Sequence, residues 1–115
     1  MIVIDAHCDT LLKVTGENSL YDLGNQSHLD INRALNRVNL QVFAAYIDAS
    51  YKPFQSLQRG IALIETFHQE IEKLQKQVKL ILNKRDLSSI MKKDMLHVLL
   101  SVEGGEILCG DILLL

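Results

Sequence analysis

A layered α/β fold, with parallel strands and helices covering the sheet, is predicted for this 115-residue chain by three features of its hydrophobic pattern. Short apolar runs rich in β-branched and aromatic residues read as strands. One long segment instead repeats its apolar residues at three- and four-residue spacings, as a helix does. The two kinds of segment alternate along the chain, and the strand runs are apolar on both faces, the pattern of a parallel sheet covered on both sides.

The first strand is Ile2-Val3-Ile4. Residues 15 to 39 hold Gly16, Asn18, Ser19, Gly24, Asn25 and Ser27, so this stretch is expected to be loop with short helical pieces, one of them over Ile31 to Asn36. Leu40 to Ile47 forms the second strand. Leu57, Ile61, Ile64, Phe67, His68, Ile71 and Leu74 then fall on one stripe of a helix expected from Phe54 to Gln77, with Pro53 at its entrance. Arg59, Glu65, Glu70, Lys73 and Lys76 fall on its solvated face, where Glu72 and Lys76 have the i,i+4 spacing that supports a helix. Val78 to Leu82 is the third strand. A weaker helix follows from Asp86 to Lys92, opened by an acidic residue, and Leu96 to Val102 is the fourth strand. The charge run Lys84-Arg85-Asp86 and the pair Lys92-Lys93 read as solvated loop ends.

Strand, helix, strand, helix, strand in this order predicts right-handed parallel crossovers. The unit recurs about every 20 to 40 residues, as in a (β/α)₈ barrel, which takes about 250 residues in full. The expected architecture is therefore the N-terminal half of a TIM barrel, residues 1–115 forming the N-terminal portion of one incomplete domain. A small open α/β sheet complete in itself is the alternative. The apolar end Asp111-Ile112-Leu113-Leu114-Leu115 favours the barrel, because it suits the start of a next helix better than a terminus. A half barrel leaves strand edges and apolar helix faces uncovered, so the isolated chain is expected to aggregate or to pair as a homodimer.

Composition narrows the function classes. Hydrophobic residues make up 48% and charged residues 23%, close to the globular average, which argues against disorder. Twelve basic against fourteen acidic residues give a net charge of -2 with no basic stripe, so nucleic acid is not an expected partner. Two cysteines, Cys8 and Cys109, are too few for a disulfide framework, which fits a reducing compartment. The N-terminus lacks a basic and apolar leader, and no apolar run approaches the roughly 18 residues that span a bilayer. A cytoplasmic protein without a membrane partner is expected.

Two strand ends carry candidate chemistry. The first strand runs into Asp5-Ala6-His7-Cys8-Asp9-Thr10, where alternation along extended backbone puts His7 and Asp9 on one side and Cys8 on the other. An imidazole and a carboxylate are ligand types suited to a hydrolytic zinc or manganese ion, and in a barrel the carboxyl ends of strands form the active face. Taken alone, His-x-Asp is a weak signal that reads more readily as a hydrogen-bonded turn at the strand exit than as a metal site. The fourth strand ends in Glu103-Gly104-Gly105-Glu106. A carboxylate closing so apolar a strand is costly to bury without a cation, while the glycines let backbone or substrate approach. By itself, this second feature reads more readily as an ordinary glycine turn with a solvated Glu103, and it is the two strand ends together that shift the balance. His28 in the loop and His68 on the helix stripe read as structural, and His97 starts its strand, at the end opposite the active face. Cys8 reads as a small buried residue, and Cys109 has no evident partner.

Together these residues resemble the membrane (renal) dipeptidase family of zinc peptidases. Asp5, His7 and Asp9 match its Asp-x-His-x-Asp signature after a strand. Ser27-His28-Leu29-Asp30-Ile31 leading to Asn39-Leu40-Gln41-Val42-Phe43-Ala44-Ala45-Tyr46 is similar to a second block, and Leu100-Ser101-Val102-Glu103-Gly104-Gly105 to a valine-glutamate-glycine-glycine motif. Arg37-Val38-Asn39 departs from the glycine-rich turn that the family has before its second strand. The resemblance implies that His7 and Asp9 bind a first zinc and that Glu103 bridges it to a second. It also implies a substrate that is a dipeptide, cleaved by metal-activated water. The family's other ligands and catalytic residues have no counterpart among these residues, so the expected product is an N-terminal portion of a metallo-dipeptidase, inactive alone. The competing reading is a non-enzymatic α/β module or remnant that binds metal weakly or not at all. A deaminase-type amidohydrolase barrel fits less well, because such enzymes begin with His-x-His, whereas Asp9 stands at the second position here.

Overall fold

The computed structural model describes residues 1–92 and 94–115, so Lys93 lies outside the described residues. Four strands, β1 (Ile4–Asp5), β2 (Leu40–Tyr46), β3 (Val78–Leu80) and β4 (Leu96–Glu103), form one sheet in the order β1-β2-β4-β3. Every pairing is parallel, as the apolar strand runs predict. β2 pairs with β4 over seven residues, from Leu40 opposite His97 to Tyr46 opposite Glu103, whereas β3 pairs only with the first three residues of β4. β1, β2 and β4 are thus successive neighbours, and β3 is a short addition at the far edge.

The strand limits differ from the apolar runs for local reasons. Asn39 holds Val3 on both sides, its side chain accepting from Val3 N at 2.9 Å and its own N–H donating to Val3 O at 2.8 Å, so regular pairing begins only at Ile4. β3 stops early because the carboxylate of Asp86 takes the N–H groups of Leu82 and Asn83, at 2.9 and 3.0 Å. Asp86 is therefore no solvated loop end, and it does not open the expected helix over Asp86 to Lys92. With Asn83 it forms a capping box on a 3₁₀ segment, Lys84–Ser89.

The long helix among the described residues, α2 (Ser56–Lys73), follows a one-turn helix, α1 (Ile31–Ala34), which Asp30 caps. The face that α2 buries is Ser56, Gly60, Leu63, Phe67, Glu70 and Ile71, rotated from the expected stripe. Gly60 explains the rotation: a Cβ there would lie 2.2 Å from Cδ1 of Ile107, so the helix backbone rests directly on the segment after β4. Phe67 packs on Phe43 of β2, ring centroids 5.8 Å apart. The displaced residues Leu57, Ile61 and Ile64 instead border an apolar cavity of about 510 Å³ shared with Val102, Leu114 and Leu115. His68 is exposed, its ring edge-on to Phe67.

Glu70, expected on the solvated face, is buried. It accepts from Leu20 N at 2.7 Å, from the Ser19 hydroxyl at 2.9 Å and from Lys73, and so ties α2 to the loop that follows β1. Burial alone would raise its pKa, but these donors outweigh it and hold the carboxyl below its ordinary value. Asp30 is handled in the same way, its burial outweighed by Arg33 and by the N–H of Leu23. No helix among the described residues is long and apolar enough to cross a membrane.

His97 is fully buried at the start of β4, with Nε2 2.8 Å from the Ser89 hydroxyl. Burial pushes its pKa below the ordinary value of 6.5, against a hydrogen bond with the Asn39 backbone that raises it, and with Lys79 and Lys92 lowering it further. The unfolded chain then takes up a proton at this site from about pH 6.5 downward, before the folded chain does, so acidification favours unfolding. The thermal midpoint is expected to fall between about pH 7 and about pH 5.5, above the range of ordinary carboxyl titration. A midpoint flat over that interval contradicts this role of His97.

Candidate metal centre

Residues opposite each other in the β2–β4 ladder share a face of the sheet. Phe43 and Leu100 point toward α2, while Tyr46 and Glu103 lie on the other face. On which face His7 and Asp9 lie depends on how β1 meets β2. Asp5 pairs with Gln41, but Cys8 lies opposite Phe43, donating to Val42 O at 3.1 Å and accepting from Ala44 N at 2.9 Å. The first strand advances three residues where the second advances two, which is a β-bulge. A regular ladder from Asp5 would set His7 opposite Phe43, on the helix face. The extra residue instead turns Cys8 toward the core, where it packs, and turns His7 and Asp9 to the face of Glu103. Within the bulge, His7 N donates to Asp5 Oδ1 at 3.1 Å. After Asp9 the chain leaves the sheet through a 3₁₀ turn, Thr10–Lys13, anchored by buried Leu11.

The three residues singled out in the sequence therefore converge. His7 Nε2 is 3.4 Å from Asp9 Oδ1 and 3.3 Å from Glu103 Oε2. One donor atom from each of the three lies within 4.8 Å of the others, close enough for one cation to be shared. All three side chains are about half exposed, at 52%, 51% and 45%. Of the two glycines that follow, only Gly104 is required by conformation: its φ is +82°, and a Cβ would lie 2.1 Å from Glu106 Oε2. Gly105 has open space around it. Glu106 is engaged by Lys52 at 2.7 Å, which holds its carboxyl below the ordinary range and keeps this acid paired with a cation of the protein.

Burial pushes the Cys8 thiol up, against hydrogen bonds with Thr10, which keeps it protonated and unreactive. His97 lies at the opposite end of β4 from Glu103, as its place in the sequence implies. His28, read from the sequence as structural, is exposed and lines a cleft of about 720 Å³ together with His7, Asp9 and Lys13. The residue whose part was missed is Asp5. Its signal was available: an aspartate two residues before a turning backbone N–H is the arrangement of an Asx turn.

A family model described as membrane dipeptidase (peptidase family M19) matches residues 1–115, the whole chain. Comparison with curated proteins gives no match. That family is metal-dependent and folds as a TIM barrel, in agreement with the all-parallel sheet, the helix on one face and the acid-and-imidazole cluster on the other. The chain belongs to the membrane dipeptidase family, peptidase family M19.

Proposed function

We propose that these residues supply one side of the metal centre of a zinc-dependent dipeptidase, with His7, Asp9 and Glu103 as ligands. The observation that carries this reading is the meeting of the His7 imidazole and the Asp9 carboxylate with the carboxylate of Glu103, distant in sequence, within 4.8 Å at the carboxyl ends of β1 and β4, the two strands that flank β2. Hard oxygen donors with one nitrogen suit zinc or manganese, and two acids beside an imidazole favour a divalent cation. Such an ion supplies Lewis-acid polarisation of a peptide carbonyl and lowers the pKa of water toward neutrality. The chain's own part is to hold the ligands: the bulge aims His7 and Asp9, and the seven-residue β2–β4 ladder fixes Glu103. The cleft lined by Lys13, Ser27 and His28 opens beside the ligands and suits a short polar substrate such as a dipeptide.

Three ligands do not complete a two-metal site, so the 115 residues alone are expected to bind zinc without hydrolysing peptides. The half-exposed donors make that binding modest, and the open apolar face around Ile61 and Val102 supports self-association. The test is to incubate the chain with Zn²⁺ and a set of dipeptides and to follow release of free amino acids. No release together with saturable zinc uptake is the expected outcome. Turnover by the chain alone contradicts the incomplete centre, and absence of uptake favours the non-enzymatic module.

A further inference from the structure

We infer that Asp5 is a positioning residue for the metal ligands, and that it acts by holding the β-bulge that turns His7 and Asp9 onto the face of Glu103. The inference rests on the metal-centre reading above and deepens it. Its basis is the change of register between Asp5 opposite Gln41 and Cys8 opposite Phe43, which leaves one extra residue in the first strand. Nothing on β2 accounts for that extra residue. Its strand carries neither proline nor glycine, and the pairing on its other side, with β4, runs without interruption from Leu40 to Tyr46. The feature particular to the bulge lies on β1, where the Asp5 carboxylate accepts the N–H of His7 at 3.1 Å. That bond satisfies a backbone donor which the bulge removes from the ladder.

Straightening the strand has a definite consequence. With a regular ladder from Asp5, His7 would stand opposite Phe43 and Asp9 opposite Ala45, both on the α2 face. Cys8 would then occupy the face of Glu103. Two of three ligands would be lost at once, although neither had been mutated. Asp5 itself is outside the ligand cluster, so its effect passes entirely through His7 and Asp9.

Removal of Ala6 offers the complementary case. Without it the ladder can run regularly, His7 opposite Val42, Cys8 opposite Phe43 and Asp9 opposite Ala44, which returns both ligands to the face of Glu103 with no need of the Asp5 carboxylate.

Four chains should be compared: the parent, Asp5→Ala, Asp5→Asn, and Asp5→Ala with Ala6 removed. Zn²⁺ affinity is measured by calorimetry, hydrogen exchange of the His7 amide by NMR, and the thermal midpoint serves as a check on folding. Asp5→Ala is expected to weaken zinc binding about 10- to 100-fold, the range for loss of a group that orients a ligand, and to speed exchange at His7. Asp5→Asn keeps an acceptor oxygen and should bind close to the parent, and the chain lacking Ala6 should recover much of what Asp5→Ala loses. Parent-like affinity and exchange in Asp5→Ala overturn the inference, as does a well-folded Ala6-deleted chain that fails to recover. Zinc binding absent from the parent itself refutes the metal reading instead, and the His7 exchange rate then decides the bulge separately.

Discussion

Substituting His7 by alanine is expected to reduce zinc affinity by more than the 10- to 100-fold that loss of an orienting neighbour causes, because a direct ligand is removed. His7 is the hub of the cluster, its Nε2 lying 3.3 and 3.4 Å from the two carboxylates. Without it, two acids face each other across the site with no imidazole between them. Glu103→Gln is expected to be comparably damaging, since it keeps the shape of the side chain but removes the charge that attracts a divalent ion. In a complete family barrel built on these residues, where Glu103 is the proposed bridge, the glutamine variant is expected to impair both metal sites, and His7→Ala or Asp9→Ala to lose one equivalent. Metal content of the purified variants measured by mass spectrometry checks this, and unchanged stoichiometry in all three contradicts the ligand assignment.

Phe67→Ala is expected to lower folding stability by about 3–5 kcal/mol, the range for deleting a buried aromatic ring. The side chain is fully buried and its ring is tilted on that of Phe43 in the middle of β2, so the resulting void opens between helix and sheet where neither can close it. Against a typical domain stability of about 5–15 kcal/mol this is a large fraction. Because the same β2 carries the pairing that fixes Glu103, loss of the helix contact is expected to loosen the metal site as well. Urea denaturation with an unchanged slope and a lower midpoint is the expected signature. A change below about 1 kcal/mol would mean that the ring does not hold helix to sheet.

The class of fold was legible because strands apolar on both faces can survive only in a covered parallel sheet, and the pattern of Leu40 to Tyr46 and Leu96 to Val102 meets that condition. The candidate site was legible because an acid at the end of so apolar a strand as β4, and a His-x-Asp pair at the end of another, put ligand-type side chains at the same rim of a parallel sheet. The helix face was misread, since hydrophobicity alone cannot tell a stripe facing the sheet from one facing a cavity. Gly60 and Glu70 are buried for reasons of close approach and hydrogen bonding, which a hydrophobic pattern does not register, while Ile61 is exposed. The bulge was invisible for a related reason. Alternation along the strand correctly separated Cys8 from His7 and Asp9, but which face each received depends on the register against β2, and a single carboxylate hydrogen bond to a backbone N–H accompanies the change. β3 shows the same limit: its side position in the sheet follows from tertiary pairing with β4, not from its own sequence.

The most direct measurement is X-ray absorption spectroscopy of the zinc-loaded chain. A shell of nitrogen and oxygen scatterers at about 2.0–2.2 Å, with imidazole outer-shell features that disappear in His7→Ala, is the result predicted by the shared site of His7, Asp9 and Glu103. A spectrum of hydrated zinc, or one whose imidazole features survive in His7→Ala and vanish on replacing His28, would contradict it.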